Sequence, residues 1–416
     1  MSFGGVPCHG TIEPVSFPTS NSETRSKSAD AGGKALAGFL LSGFLLALLG
    51  AILPAWGYHR DPPEFMTVGN YFLGVAVGVV AAVGLARRIL ARRGLAFLLV
   101  FACVLASVAL AYLALVSPPA SPWWRVAGLL VLGVAAGLLN KALFHANSPG
   151  FQADAAGTIT EGGIWYGLGC LTATLLVAST LLAAGTSYVP GVLALMAVVP
   201  AIFAAIYARS SYPARPASGQ PTLRQALKDF RSPGAMLFAA LLFFQFGNEW
   251  SVAGWLPIFL IRRVGLSPET ALTILALYWL FLMIGRVGSV AILPLVRHGR
   301  LLLGSLLAAM FGCLLLFFTN NAFGAATGAF FLGAGYASIY PLVAEAIGRR
   351  FPYYHPGFFN GIFSLALLGG LLAPATLGYA AAGMGVGVVI GIPLAGTCMV
   401  IVLLLLIWLE TKVTGR

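Results

Sequence analysis

The sequence predicts an all-α membrane protein with twelve transmembrane helices in two pseudo-symmetric six-helix bundles. Three observations carry that expectation. The 416-residue chain is 59% hydrophobic and only 9% charged, with a mean hydropathy of +0.92, whereas soluble chains carry roughly 25% charged residues. Its apolar residues gather into runs of about 20, each able to cross roughly 30 Å of hydrocarbon. Its Lys and Arg collect on alternate connections between those runs.

The elements follow in chain order. Residues 1–34 are polar and rich in Ser, Gly and Pro, and are expected to form a disordered cytoplasmic tail. The first run, 35–57, is longer than a signal-peptide core, so a retained span is expected. Runs at 67–86, 95–116, 124–145, 157–183 and 188–208 complete a first bundle, 35–208. A polar central loop, 209–234, leads to a second bundle, 235–409. Its runs lie at 235–260, 270–293, 301–318, 322–345, 358–379 and 386–409, and 410–416 forms a short tail.

With the N-terminus inside, 18 of the 24 Lys and Arg fall on cytoplasmic segments, among them Arg87, Arg88, Arg92, Arg93, Arg297, Arg300, Arg349 and Arg350. Arg60, Arg125, Arg262 and Arg263 fall outside, and Lys141 and Arg286 lie within runs. The positive-inside rule then places both termini in the cytoplasm of a multi-pass protein of the cytoplasmic (inner) membrane. The net charge of +12 is read as attraction to anionic lipids, with no nucleic-acid partner. A monomer is expected.

Other function classes lack their chemistry. Cys8, Cys103, Cys170, Cys313 and Cys398 are scattered singly, and the five histidines are far apart, so no disulfide framework and no metal site is expected. The GGK at Gly32–Lys34 lacks the earlier glycine of a phosphate loop. No enzyme and no cofactor is expected, apart from a proton as coupling ion.

Two halves are visible in short repeats. Leu53–Pro54 in ILPAW pairs with Leu256–Pro257 in WLPIF, LGVAAG from Leu132 with LGAGYA from Leu332, and GGIWYG with NGIFSL. The offsets, 203, 200 and 198 residues, are nearly constant, as a duplicated unit requires. Gly74-x-x-x-Gly78, Gly133-x-x-x-Gly137 and Gly163-x-x-x-Gly167 fit close helix packing.

These features resemble the major facilitator superfamily, and several stretches are similar to its fucose/hexose:proton symporter branch. Those stretches are the seventh run with its Trp-Leu-Pro, MIGRVGSVAILPLVRHGR (Met283–Arg300) and GAGYASIYPLVAEAIGRR (Gly333–Arg350). The resemblance implies alternating access around a cavity lined by helices 1, 4, 7 and 10. It also places proton-coupling acids near Gly50 and Asn140, neither of which is a carboxylate here.

The candidate site residues are the polar ones within runs. Gln245, Asn248 and Glu249 share a helical face at i, i+3 and i+4. A charge at the depth of Glu249 costs at least ~2.5 kcal/mol, so that face should meet a solute pathway or a partner. Lys141 and Glu161 lie at similar distances from the turn near Gly150, and a mutual ion pair is expected. Glu161 also aligns with a substrate-contacting position of the sugar symporters. Arg286, Arg297, Glu345 and Arg349 form the expected inner gate, with Glu345 and Arg349 at i, i+4.

Among the membrane aromatics, Trp165, Trp250 and Tyr340 are the preferred solute contacts, because their runs carry polar residues. The expected function is secondary transport of a small polar solute, a monosaccharide first, coupled to protons through Glu249. The alternatives are drug or metabolite efflux, or facilitated diffusion in which Glu249 only binds the solute.

Overall fold

The computed structural model describes residues 22–210, 212, 228–351, 357 and 361–414. Among these it is helical throughout, with no strand. Helix α1 runs Ser22–Ala55, so residues 22–34, expected in the disordered tail, are helical backbone continuous with the first span. No proline falls between Ser22 and Pro54, and an established helix extends cheaply. Residues 1–21 lie outside the described residues.

Phe65–Leu115 contains α2 (65–93) and α3 (95–115), separated at Gly94 with φ 81°. That left-handed value is open to glycine at little cost, and it turns the chain back after the four arginines of 87–93. Helix α4 is Pro122–Ala146, followed by a short helix, Ser148–Ala153, and α5, Ala155–Ala184. Helix α6 comes in two pieces, Val189–Met196 and Val198–Ala208. Pro200 has no N–H to offer Met196, and the break falls there.

The second bundle contains α7 (Pro233–Phe259), α8 (Pro268–Ile292), α9 (His298–Phe318), α10, α11 (Ile362–Met384) and α12 (Val388–Thr414). Helix α10 is split at Ser338 into Ala322–Ala337 and Ile339–Arg350. Pro341 removes the bond to Ala337 there, as Pro200 does in α6. Helix α12 continues through residues expected as a tail, which sets Glu410 against Arg350 from α10. Most of the expected 209–234 loop lies outside the described residues, which resume before α7 with a single turn, Asp229–Arg231.

Ten of the described helices are long and apolar enough to cross a membrane. One of them is α2 and α3 together. Helix α7 is long enough, but Gln245, Asn248 and Glu249 dilute its hydropathy. Counting both, the chain has twelve spans in two six-helix bundles. The bundles meet along α5 against α8 and α2 against α11, with α1 against α7 between them.

Alternate connections define a basic end, with Arg87–Arg93, and a far end, with residues 56–64. At the far end the bundles are in intimate contact. Phe72 of α2 stacks on Trp255 of α7 at 5.8 Å between centroids. Arg262 pairs across the bundles with Asp61 at 2.6 Å. Single-cysteine variants at Arg262 and Arg297 should therefore label from opposite faces of the membrane. Labelling of both from one face would contradict this arrangement.

Candidate functional site

Glu249 lies near the middle of α7 and is 3% exposed. Its counter-charge comes from α8, where Arg286, also buried, approaches with Nη2 at 3.7 Å from Oε1. A direct charged hydrogen bond would measure about 2.7–2.9 Å, so the pair is held by charge attraction rather than by a direct hydrogen bond. The same guanidinium donates from Nη1 to the Gly163 carbonyl of α5, in the other bundle. A Cβ at position 163 would lie 2.6 Å from Nη1. Glycine is thus what lets Arg286 rest on the α5 backbone. Removing one member of a buried pair costs about 3–5 kcal/mol, so neither charge is expendable.

This pair lies in the wall of a cavity of about 120 Å³ between the bundles, on the basic-end side of Glu249. Eight of its seventeen lining residues are aromatic. Phe246, Tyr340 and Phe363 form a cluster with centroids 5.0–5.7 Å apart. Phe144 of α4 meets Phe363 of α11 across the bundles at 5.8 Å. Tyr166 and Trp250 also line a second space of about 50 Å³ toward the far end, and so separate the two.

Of the residues expected from sequence, Glu249, Trp250, Tyr340 and Asn140 line the main cavity, and Arg286 joins them. Asn140 is internally occupied, accepting from Ser42 Oγ at 2.9 Å and donating to the Ala136 carbonyl at 2.9 Å. Gln245 is fully buried and does not line the cavity; it lies one turn before Glu249 on α7, beside that carboxylate.

Five expectations are corrected. Asn248 does not face the cavity. It donates to Thr397 Oγ1 of α12 at 3.4 Å and lies against Gly396, because adjacent helical residues point about 100° apart. Trp165 is half-buried against the core, and its neighbour Tyr166 takes the cavity position. Lys141 and Glu161 do not pair. Glu161 is exposed, with no ion pair among the described residues, while Lys141 is half-buried near Arg87. Arg286 lies about 9 Å inside the end of α8 at ~1.5 Å per residue, beside Glu249 and apart from the other three expected gate residues. Of the remaining gate residues, Glu345 and Arg349 form the expected i, i+4 pair, and Arg297 does not join it. Glu345 pairs with Arg349 and, at 3.2 Å, with His298, all in the second bundle, and exposed Arg297 joins no ion pair among the described residues.

Sequence reasoning missed Phe246 and Phe363, and preferred Trp165 to its neighbour Tyr166. Phe246 was within reach, being at i−3 from Glu249 on the same face. Gly50, where the resemblance places an acid, has no room for one. A Cβ there would lie 2.4 Å from the Ala253 carbonyl of α7.

The far-end closure contains one titratable group with a resolved shift outside the spans. His59, whose carbonyl also accepts from Arg262, is half-buried. Burial first, then Arg60 and Arg262, hold its imidazole below the ordinary 6.5, against weaker opposing effects of the Pro54 backbone and Glu269.

The profile of the Major Facilitator Superfamily matches residues 162–374, just over half of the chain. The chain belongs to the Major Facilitator Superfamily. An uncharacterised MFS-type transporter of Yersinia pestis is 23% identical over 364 residues, covering 82% of this chain and 87% of that protein. The fold is shared with a D-xylose-proton symporter (TM-score 0.69, 14% identity, 91% and 96% of the two chains) and the nucleoside transporter NupG (0.65, 13%, 92% and 99%). It is also shared with the E. coli fucose:proton symporter FucP (0.61, 14%, 92% and 99%). The chain is thus a multi-pass membrane transporter rather than an enzyme.

Two outcomes follow from the geometry. Gly163→Val should push Arg286 off α5 and disfavour this far-end-closed state by about tenfold, since overpacking costs about 1–3 kcal/mol. Spin labels at Glu64 and Ala382, across the bundles at the far end, should then report a longer-distance population. An unchanged distribution would contradict the role given to Gly163. For His59, opening the far end frees the imidazole, which returns toward 6.5 and binds a proton that the closed end resists. Closure is therefore at full strength above about pH 6.5 and weakens as the bathing compartment is acidified below it. His59→Gln should abolish that dependence of the same label distances.

Proposed function

We propose that this transporter moves a small, ring-sized solute with a polar edge by alternating access, coupled to proton movement through Glu249. Supporting this is the Glu249–Arg286 pair in the cavity wall, with Arg286 reaching across to Gly163. The basic end is assigned to the cytoplasm by its arginines. The monosaccharide implied by the resemblance falls within this solute class, and proton symporters of fucose and xylose share the fold.

The coupling step is a change of charge at one carboxylate. A proton entering from the open compartment binds Glu249 Oε1 and cancels the attraction to Arg286. The guanidinium then keeps only its hydrogen bond to Gly163, and the contact joining α8 to α5 weakens. Solute in the cavity would hydrogen-bond to the carboxylate and the guanidinium from the cavity side. Loss of the proton to the other compartment restores the ion pair and with it this arrangement of the bundles. Two states of one contact, biased by proton and solute together, are what coupling requires.

The test uses purified protein in liposomes with a labelled panel of sugars, organic acids and lipophilic cations. For the solute that shows counterflow, an imposed proton gradient should drive accumulation. Glu249→Gln should abolish that accumulation while counterflow persists. Wild-type counterflow without proton-driven accumulation would reduce Glu249 to a binding residue and leave facilitated diffusion. Movement of lipophilic cations alone would instead favour efflux.

A further inference from the structure

The cavity wall carries more information than the size of the solute. Its ionic groups are confined to one side, where Glu249 offers a carboxylate and Arg286 a guanidinium separated by 3.7 Å. Much of the remaining wall is the rings of Phe39, Phe144, Phe151, Phe246 and Phe363, and its other polar side chains, Thr158, Tyr166, Trp250 and Tyr340, are uncharged. Asn140, the amide in this wall, accepts from Ser42 and donates to the Ala136 carbonyl. The space, about 120 Å³, is on the order of the ~150 Å³ apolar cavity that accommodates one benzene.

We infer that the transported solute is neutral and carries a single flat aromatic or heteroaromatic ring, with an N–H donor and a carbonyl acceptor side by side on one edge. The inference rests on the transport reading above and narrows its solute. A ring in this space has aromatic neighbours at the 4.5–7 Å centroid distances favoured for edge and offset contacts. Its polar edge then meets the ion pair, with N–H donating to a Glu249 oxygen and C=O accepting from Arg286. Neutrality follows from the charge count. While Glu249 is ionised it and Arg286 compensate each other, and a solute with net charge would then add an uncompensated buried charge. A monosaccharide fits less well, because its hydroxyls project all round the ring. Hydroxyls out of reach of Thr158, Tyr166, Trp250 and Tyr340 would lie on phenylalanine rings without partners, each at a cost that weakens binding.

The test is equilibrium binding of radiolabelled 2-pyridone, benzoate and D-glucose to the full-length purified protein, followed by counterflow in liposomes. 2-Pyridone has the donor–acceptor edge on a flat ring, benzoate the ring with a negative charge, and D-glucose the hydroxyls without the flat ring. Saturable binding of 2-pyridone is expected, with benzoate and D-glucose failing to compete at tenfold higher concentration. Phe363→Leu should weaken 2-pyridone binding about tenfold, as loss of an aromatic neighbour predicts. Monodisperse elution and retained helicity would show that the variant is folded.

Absence of saturable 2-pyridone binding, or an unchanged affinity in folded Phe363→Leu protein, overturns the inference. So does preferential binding of benzoate or D-glucose. D-glucose counterflow without 2-pyridone binding would sink the ring inference and leave the transport reading standing. Failure of every solute in the wider labelled panel to show counterflow would sink the transport reading itself.

Discussion

The structure turns on where a carboxylate buried in the middle of α7 finds its counter-charge. Water would stabilise Glu249 more cheaply than any protein group, and its burial is tolerable only because Arg286 arrives from α8. Arg286 in turn needs acceptors. One lies in its own bundle, and another is the backbone carbonyl of Gly163 in the opposite bundle. A single guanidinium therefore joins a titratable group to the interface that must open and close.

The glycines make this arrangement physically accessible. At the centre, Gly163 admits the guanidinium against α5, and toward the far end Gly50 admits the α7 backbone against α1. Contacts this close leave no slack, so each is either made or broken as the bundles rock. That is the bistability alternating access depends on. The aromatic contact of Phe144 with Phe363 closes part of the basic-end side without charge. The acidic and basic residues of that end are instead satisfied within the second bundle.

Much of this was legible in the sequence, because hydropathy, basic turns and a near-constant repeat offset are one-dimensional records of spans and halves. The breaks near Pro200 and Pro341 were not read, the runs 188–208 and 322–345 being taken as continuous, although a missing N–H needs no tertiary information. What could not be read was which helix each polar residue faces. Gln245, Asn248 and Glu249 form one stripe on a helical wheel, yet that stripe is wide enough for Asn248 to meet α12 while Glu249 meets α8. Depth counting alone matched Lys141 with Glu161, but depth does not fix the direction of a side chain. Arg286 was drawn to the basic end by the neighbouring motif, although its position well inside α8 already set it apart from Arg297.

The central claim is that Glu249 and Arg286 act as one unit, and a double-substitution cycle measures this directly. Solute counterflow would be compared in wild-type, Glu249→Gln, Arg286→Gln and doubly substituted protein, each verified as folded. Arg286→Gln alone strands a buried carboxylate and should be the most damaged. The double variant, with no stranded charge, should recover counterflow above that level. A double variant whose losses are simply the product of the two single losses would contradict the account, since independent residues behave in that way.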